Sequence, residues 1–209
     1  MLMSTLIAAL QRARTVWIAQ RFEMAEMFGF ETRNKYVIRD ESGQEIAYAA
    51  EQGKGLLALL ARGFAGHWRT FELHLFDTQR QPVARAVHPF RWYFQRLDVY
   101  RRDDSLAGSL QQRWAWFSKR FDVLGPQGEV LLTVDSPIWK PWTFPFLSGG
   151  QEVAAIRKRW TGFGAEMFTD KDTFQLEYLD ANLATDLRVL LVLAAVFVDL
   201  QYFERKANR

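Results

Sequence analysis

The chain has 209 residues, 49% of them hydrophobic and 24% charged, with a formal net charge of +3. This is the balance of a single globular domain with ample material for a core, and the charge is too small for the long basic stripe of a nucleic-acid binder. There is no cysteine, which excludes a disulfide framework, a thiolate zinc site, a cysteine nucleophile and S-acylation.

The start, "MLMSTLIAALQRARTVW", runs from apolar residues to Arg12 and Arg14. A secretory leader places its positive charge first. The reversed order predicts an amphipathic lead-in helix, with a helix lying on a membrane surface as the competing reading. "KYVIRDESGQEIAYAAE" alternates on both sides of Ser42 and Gly43 and reads as a β-hairpin. "GKGLLALLARG" fits a short helix or an apolar loop equally well. "TFELHLFDTQRQPVARAVH" is a second hairpin, with Phe71, Leu73 and Leu75 on one face. "WYFQRLDVYR" and "AGSLQQRWAWF" read as further strands parted by "RDDS". "FSKRFDVLGPQGEVLLTVD" is a third hairpin around Gly125, Pro126 and Gly128, and "QEVAAIRKRW" and "TFQLEYL" follow as strands. This makes ten to twelve candidate strands. Most are joined without an intervening helix, so the sheet is expected to be antiparallel.

The C-terminal "NLATDLRVLLVLAAVFVDLQYFERK" has helical character, with Thr185 or Asp186 as candidate caps. Val189 to Val198 is apolar without a break, so the helix must be surrounded on every side. Ten helical residues rise about 15 Å, half the roughly 30 Å of bilayer hydrocarbon. Arg188 and Asp199 bound the run, and charges deep in lipid are costly. Protein is therefore the expected surrounding. A barrel of about eight strands fills itself with side chains, whereas about twelve leave room for a helix. The expected architecture is mainly β: a closed antiparallel barrel of about 12 strands around a central C-terminal α-helix at 183–205. The expected organisation is a lead-in helix and first strand at 1–27, then one barrel domain at 28–206.

The residues that lead to this architecture also resemble a known family. "GFETRNKYVIRDESGQEIAYAAE", "FELHLFDTQRQPVARAVHPFRW", "IRKRWTGFGAEMFTDKDTFQLEY" and "VLLVLAAVFVDLQYFE" occur in the order and spacing of the phospholipid scramblase family, over about Phe28 to Glu204. The fold of that family is Tubby-like, shared with LURP-one-related proteins. The resemblance implies a cytoplasmic protein, peripheral at the inner membrane face, that binds acidic phospholipid. It also implies calcium-modulated lipid scrambling. A soluble interaction or scaffold module with protein partners is the alternative within the same fold, since fold alone does not settle activity. The Pro-rich arm and lipidated Cys cluster of animal members have no counterpart here, so neither acylation nor partners that read Pro-rich segments carry over.

In such proteins the stretch after W-T-G is a proposed calcium motif. Here it falls on Asp170, Asp172 and Asp180, with Phe174, Leu176 and Tyr178 between them. If Phe174 to Tyr178 is a strand, Asp172 and Asp180 lie about 26 Å apart at roughly 3.3 Å per residue, too far to share one ion. The competing reading is a turn leading into a buried strand. Calcium, if held, is held weakly by Asp170 and Asp172 with oxygens from elsewhere. The candidate lipid contacts are Trp139, Lys140 and Trp142 in "SPIWKPWTFPF", whose three prolines oppose a regular strand, and the basic run Arg157, Lys158 and Arg159. His74 falls on the parity opposite Leu73, which places it on the outer face instead of on a metal. G-x-S-x-G, Walker A and H-E-x-x-H motifs do not occur, so no enzyme class is indicated. The modest net charge also disfavours a nucleic-acid partner.

Overall fold

A computed structural model describes residues 5–21, 32–52, 70–137, 139–140, 142–159 and 173–202, with the side chains of Thr32 and Arg33 left aside. "GKGLLALLARG" lies outside the described residues. In chain order the elements are α1 (Thr5–Arg12), β1 (Thr15–Gln20), β2 (Thr32–Arg39), β3 (Glu45–Gln52), β4 (Phe71–Asp77) and β5 (Pro82–His88). There follow β6 (Arg96–Arg101), β7 (Leu106–Arg113), β8 (Ser118–Leu124), β9 (Val130–Pro137), β10 (Thr143–Ser148), β11 (Gln151–Arg159), β12 (Thr173–Tyr178) and α2 (Thr185–Tyr202). Each strand pairs antiparallel with its sequence neighbours, and β1 joins β12 to β2, closing a twelve-strand barrel. The first strand is thus a stave of the same wall as the rest.

Alternation supplies the inner face. Phe71, Leu73 and Leu75 of β4, Phe121 and Val123 of β8, and Phe174, Leu176 and Tyr178 of β12 are all buried in one core with α2. Val189 to Val198, apolar all round, is buried throughout, so α2 is sheathed by the barrel. Small residues make room for it: Ala47 and Ala49 on β3, Ala84 and Ala86 on β5, and Gly108 on β7. A Cβ at Gly108 would lie 2.5 Å from the Leu124 carbonyl oxygen and 2.9 Å from Leu190 Cδ1. The outer face carries cross-strand ion pairs such as Arg85–Glu72 at 3.3 Å and Arg120–Asp135 at 2.8 Å. His74 also lies on this outward parity, half-buried, with Nε2 3.2 Å from Gln52 Oε1 and 3.4 Å from Glu72 Oε1.

The two ends of α2 are held by polar contacts. Arg188 is 2% exposed, yet among the described residues no carboxylate pairs with it. Its guanidinium instead donates to backbone carbonyls of Leu10 (2.7 Å), Ala13 (2.8 Å), Ala181 (3.0 Å), Leu183 (3.3 Å) and Asp180 (3.4 Å), and lies 4.4 Å from the Tyr178 ring centroid. At the other end Asp199 is buried and accepts a 2.8 Å bond from the Tyr36 hydroxyl. The Arg188 contacts tie α1 to α2. Leu6 and Leu10, the apolar stripe of α1, are buried in the shared core. That resolves the two readings of the lead-in helix: its apolar face is used inside the protein.

Three local expectations are corrected. Neither Thr185 nor Asp186 caps α2: Thr185 Oγ1 accepts from Gln11, and Asp186 pairs with Arg101 at 2.7 Å. The strands read from "WYFQRLDVYR" and "AGSLQQRWAWF" are shorter than expected, because β6 begins at Arg96 and β7 ends at Arg113, which leaves both aromatic runs in connections. Pro145 sits within β10, in register with Ala155 of β11, despite having no N–H. The β9–β10 ladder tolerates this because it runs only through Phe146–Val134 and Leu147–Thr133, while Ser136 Oγ bonds the Thr143 carbonyl at 2.6 Å.

Two substitutions test this packing. Gly108→Ala is expected to cost about 1–3 kcal/mol by driving a methyl into Leu190 and the β7–β8 ladder, read as a lower urea midpoint. Arg188→Met strips donors from the buried Leu10 and Ala13 carbonyls. At about 1–3 kcal/mol for each buried group left unsatisfied, it should cost roughly 3 kcal/mol or more and loosen α1 first in hydrogen exchange.

Candidate functional site

Antiparallel closure sends alternate connections to opposite ends of the barrel. One end, the turn end, carries the short connections 40–44, 78–81, 102–105, 125–129 and 149–150, and the segment 179–184 leading into α2. The five hairpin turns among them are tight and polar or glycine-rich. Asp40 Oδ1 accepts the Ser42 and Gln44 amides at 2.9 and 3.0 Å, and Asp77 Oδ1 accepts the Gln79 and Gln81 amides at 2.9 Å each. Gly149 and Gly150, at φ 56° and 86°, make the two-residue hairpin turn between β10 and β11. The other end, the loop end, carries the connections 21–31, 53–70, 89–95, 114–117, 138–142 and 160–172 and the C-terminus of α2.

The expected lipid-contacting residues lie at this loop end. Trp139, 73% exposed, stands at the tip of the β9–β10 connection beside the exposed Lys140. The turn is pinned by the Lys140 amide donating to Pro137 O (2.9 Å) and the Thr143 amide to Lys140 O (3.2 Å). Trp142 folds back, half-buried against the core. Lys158 Nζ lies 5.6 Å from the Trp142 ring centroid, and the Lys158 amide donates to Trp142 O at 2.9 Å. Lys158 is in register with Phe174, on the parity of the core residue Ile156, so it lines the barrel mouth. Lys119 does the same from β8, with its Nζ 4.3 Å from the Tyr202 ring and 5.0 Å from Phe144.

Arg157 and Arg159 point the other way, onto the outer wall. Arg157 pairs with Glu177 and, at 3.2 Å, with Glu152, while Arg159 lies 3.9 Å from Glu177. Thus Trp139, Lys140, Trp142 and Lys158 share one mouth, and the two arginines are set apart on a charge-paired wall.

Of the acidic residues, Asp170 and Asp172 lie outside the described residues. Asp180 is at the turn end, where its carboxylate accepts the Asn182 amide at 2.8 Å and its backbone N–H donates to Val153 O at 3.0 Å. β12 runs from Thr173 to Tyr178 as expected, which puts Asp180 about 23 Å of extended chain from Thr173. Among the described residues no group of three or more His, Asp or Glu could hold a metal ion, and no helix is long and apolar enough to cross a membrane.

Sequence reasoning missed two further loops at the same end. Phe90, Trp92, Tyr93 and Phe94 are exposed on the β5–β6 connection, and Trp114, Trp116 and Phe117 on the β7–β8 connection. The signal was the loss of alternation: "WYF" and "WAWF" put large aromatics at successive positions, which a one-sided strand cannot bury.

A twelve-strand antiparallel barrel filled by its own C-terminal helix, with one aromatic and one polar end, defines the class of protein. Within that class, the Scramblase family model matches residues 2–205, and the chain belongs to the scramblase family. A phospholipid scramblase family protein of Schizosaccharomyces pombe is 28% identical over 179 residues, covering 80% of this chain and 46% of that protein. Phospholipid scramblase 1 of Homo sapiens is 26% identical over 209 residues, covering 93% of this chain and 64% of the human protein. The rat counterpart is 26% identical over 208 residues, covering 92% of this chain and 61% of its own. This chain therefore spans about half to two thirds of the length of these relatives. An X-ray structure of an Arabidopsis thaliana protein aligns over 95% of this chain and 99% of its own, at 13% identity and a TM-score of 0.49.

Proposed function

We propose that this scramblase-family protein works at the surface of membranes rich in anionic phospholipid, peripheral to the bilayer, and contacts it through the Trp139–Lys140–Trp142 tip and the neighbouring Lys158. The observation that carries the reading is the meeting of an exposed indole and two ammonium groups at one mouth of the barrel. Indole suits the headgroup layer, and each lysine near an anionic surface contributes about 1 kcal/mol. Arg157 and Arg159 add to the positive side of this region less than their count suggests, since both stand beside Glu177. The names of the relatives, phospholipid scramblases, agree with a phospholipid ligand.

The same geometry sets a limit on lipid translocation. Headgroups need a polar path, and the lumen is filled by the buried residues Val189 to Val198. Any scrambling by this chain therefore runs along the outside of the barrel or through disturbance of the leaflet it touches. Calcium enters the reading through Asp170 and Asp172 and not through Asp180, which stands at the opposite end of β12.

Co-sedimentation with vesicles tests the proposal. Binding to phosphatidylcholine/phosphatidylserine vesicles should be strong at low salt and weaken as salt rises. Lys140→Gln with Lys158→Gln should lower the affinity about thirtyfold. Equal binding of the double variant, or no binding of the parent to anionic vesicles, would overturn the reading. A labelled-lipid flip assay on the same vesicles, with and without millimolar calcium, separates docking from scrambling.

A further inference from the structure

The distribution of exposed aromatics over the whole barrel goes further than one loop. Among the described residues, all eight exposed aromatic side chains lie at the loop end, on three connections: four on β5–β6, three on β7–β8 and Trp139 on β9–β10. None lies at the turn end or on the outer wall. The charge of these three loops fits the same reading. The described residues of these three loops contain Arg91 and Lys140 and no carboxylate. The connections at the other end contain six carboxylates (Asp40, Glu41, Asp103, Asp104, Glu129 and Asp180) against three arginines, Arg14, Arg80 and Arg102.

We infer that the barrel docks end-on on a phospholipid bilayer, with the tips of these three loops entering the headgroup layer and the turn end facing away. The inference rests on the lipid reading above and adds to it the orientation, the apolar insertion and the residues Trp92, Tyr93, Trp114, Trp116 and Phe117. Tyr93 is 85% and Trp116 76% exposed. Side chains of this size so far from burial mark a contact surface. The occupant follows from chemistry. Trp, Tyr and Phe beside cations, with no acid among them, match the apolar-to-anionic gradient of the membrane interface. The acid-rich opposite end would be repelled by the same surface.

The rings are held as prongs. Trp114 and Trp116 meet edge-to-face with centroids 4.7 Å apart, and Phe90 and Trp92 do so at 5.3 Å. The three loops alternate with turn-end hairpins over six adjacent strands, β5 to β10, which is half the rim. At about 4.8 Å between strands they span an arc of roughly 24 Å, wide enough to fix a direction as well as a contact. The wall behind them carries ion pairs, among them Arg113–Asp122 at 3.3 Å, so insertion stops at the tips.

The absence of cysteine from the chain makes the test clean. Single variants Trp92→Cys, Trp116→Cys, Arg102→Cys and Gln127→Cys are each labelled with an environment-sensitive fluorophore and mixed with phosphatidylcholine/phosphatidylserine vesicles. Labels at 92 and 116 are expected to shift to the blue and to be quenched by brominated acyl chains. Those at 102 and 127 are expected to do neither. In unlabelled protein, Trp92→Ala, Trp116→Ala and Trp139→Ala together should lower the vesicle partition coefficient about tenfold or more with the urea midpoint unchanged. Co-sedimentation with labels 92 and 116 still in water, or full binding by the triple variant, would overturn end-on insertion and leave the anionic-surface reading standing. A blue shift that needs no vesicles and grows with protein concentration would make the face a contact between copies and also overturn it. Absence of binding to vesicles of any composition would remove both readings together.

Discussion

Ten consecutive apolar residues on a helix have no solvent-facing side, and everything else in this protein follows from enclosing them. Water cannot surround Val189 to Val198, and a bilayer would have to take in Arg188 and Asp199 as well. The barrel meets the demand with twelve strands, small residues where the helix comes closest, and large ones elsewhere. Arg188 then does what a counterion could not do as cheaply in terms of desolvation. It collects carbonyls from α1 and the residue after it (Leu10, Ala13) and from the connection after β12 (Asp180, Ala181, Leu183), so one side chain of α2 joins three segments at the turn end of the barrel.

Closure also decides where function can sit. In an antiparallel barrel every connection belongs to one end or the other, so a difference between ends is a difference between two sets of loops. At the turn end, Asp side chains bond amides two and four residues on, and the connections are short. At the loop end, the aromatics that would spoil such turns stand in the open. A plugged lumen directs attention to the rim as the place where this scramblase-family chain meets its ligand.

Much of the architecture was legible in the sequence. The alternation of β4 and β12, the three hairpin turns and the unbroken apolar run before Asp199 each survive in three dimensions, and together they require a barrel with a helix inside. The caps were not legible, because the partner of Thr185 is Gln11 and that of Asp186 is Arg101, 174 and 85 residues away in sequence. Nor was the division of the basic run. Spacing says that Lys158 faces opposite to Arg157 and Arg159, but only the register with β12 shows that Glu177 waits for the two arginines. One of three rim loops was found, through its prolines. The other two, one with a single proline at Pro89 and one with none, carry aromatic runs that read as continuations of the strands beside them.

The central claim is that α2 is sheathed by its own chain, both free in solution and on a membrane. Hydrogen exchange of the segment Leu191 to Phe197, with and without anionic vesicles, tests it most directly. The account predicts that these amides are among the slowest in the protein, exchange only with global unfolding, and are unchanged when vesicles bind. Faster exchange of this segment on vesicle binding, or its labelling by a photoactivatable acyl chain, would show the helix leaving the barrel for lipid and would contradict the account.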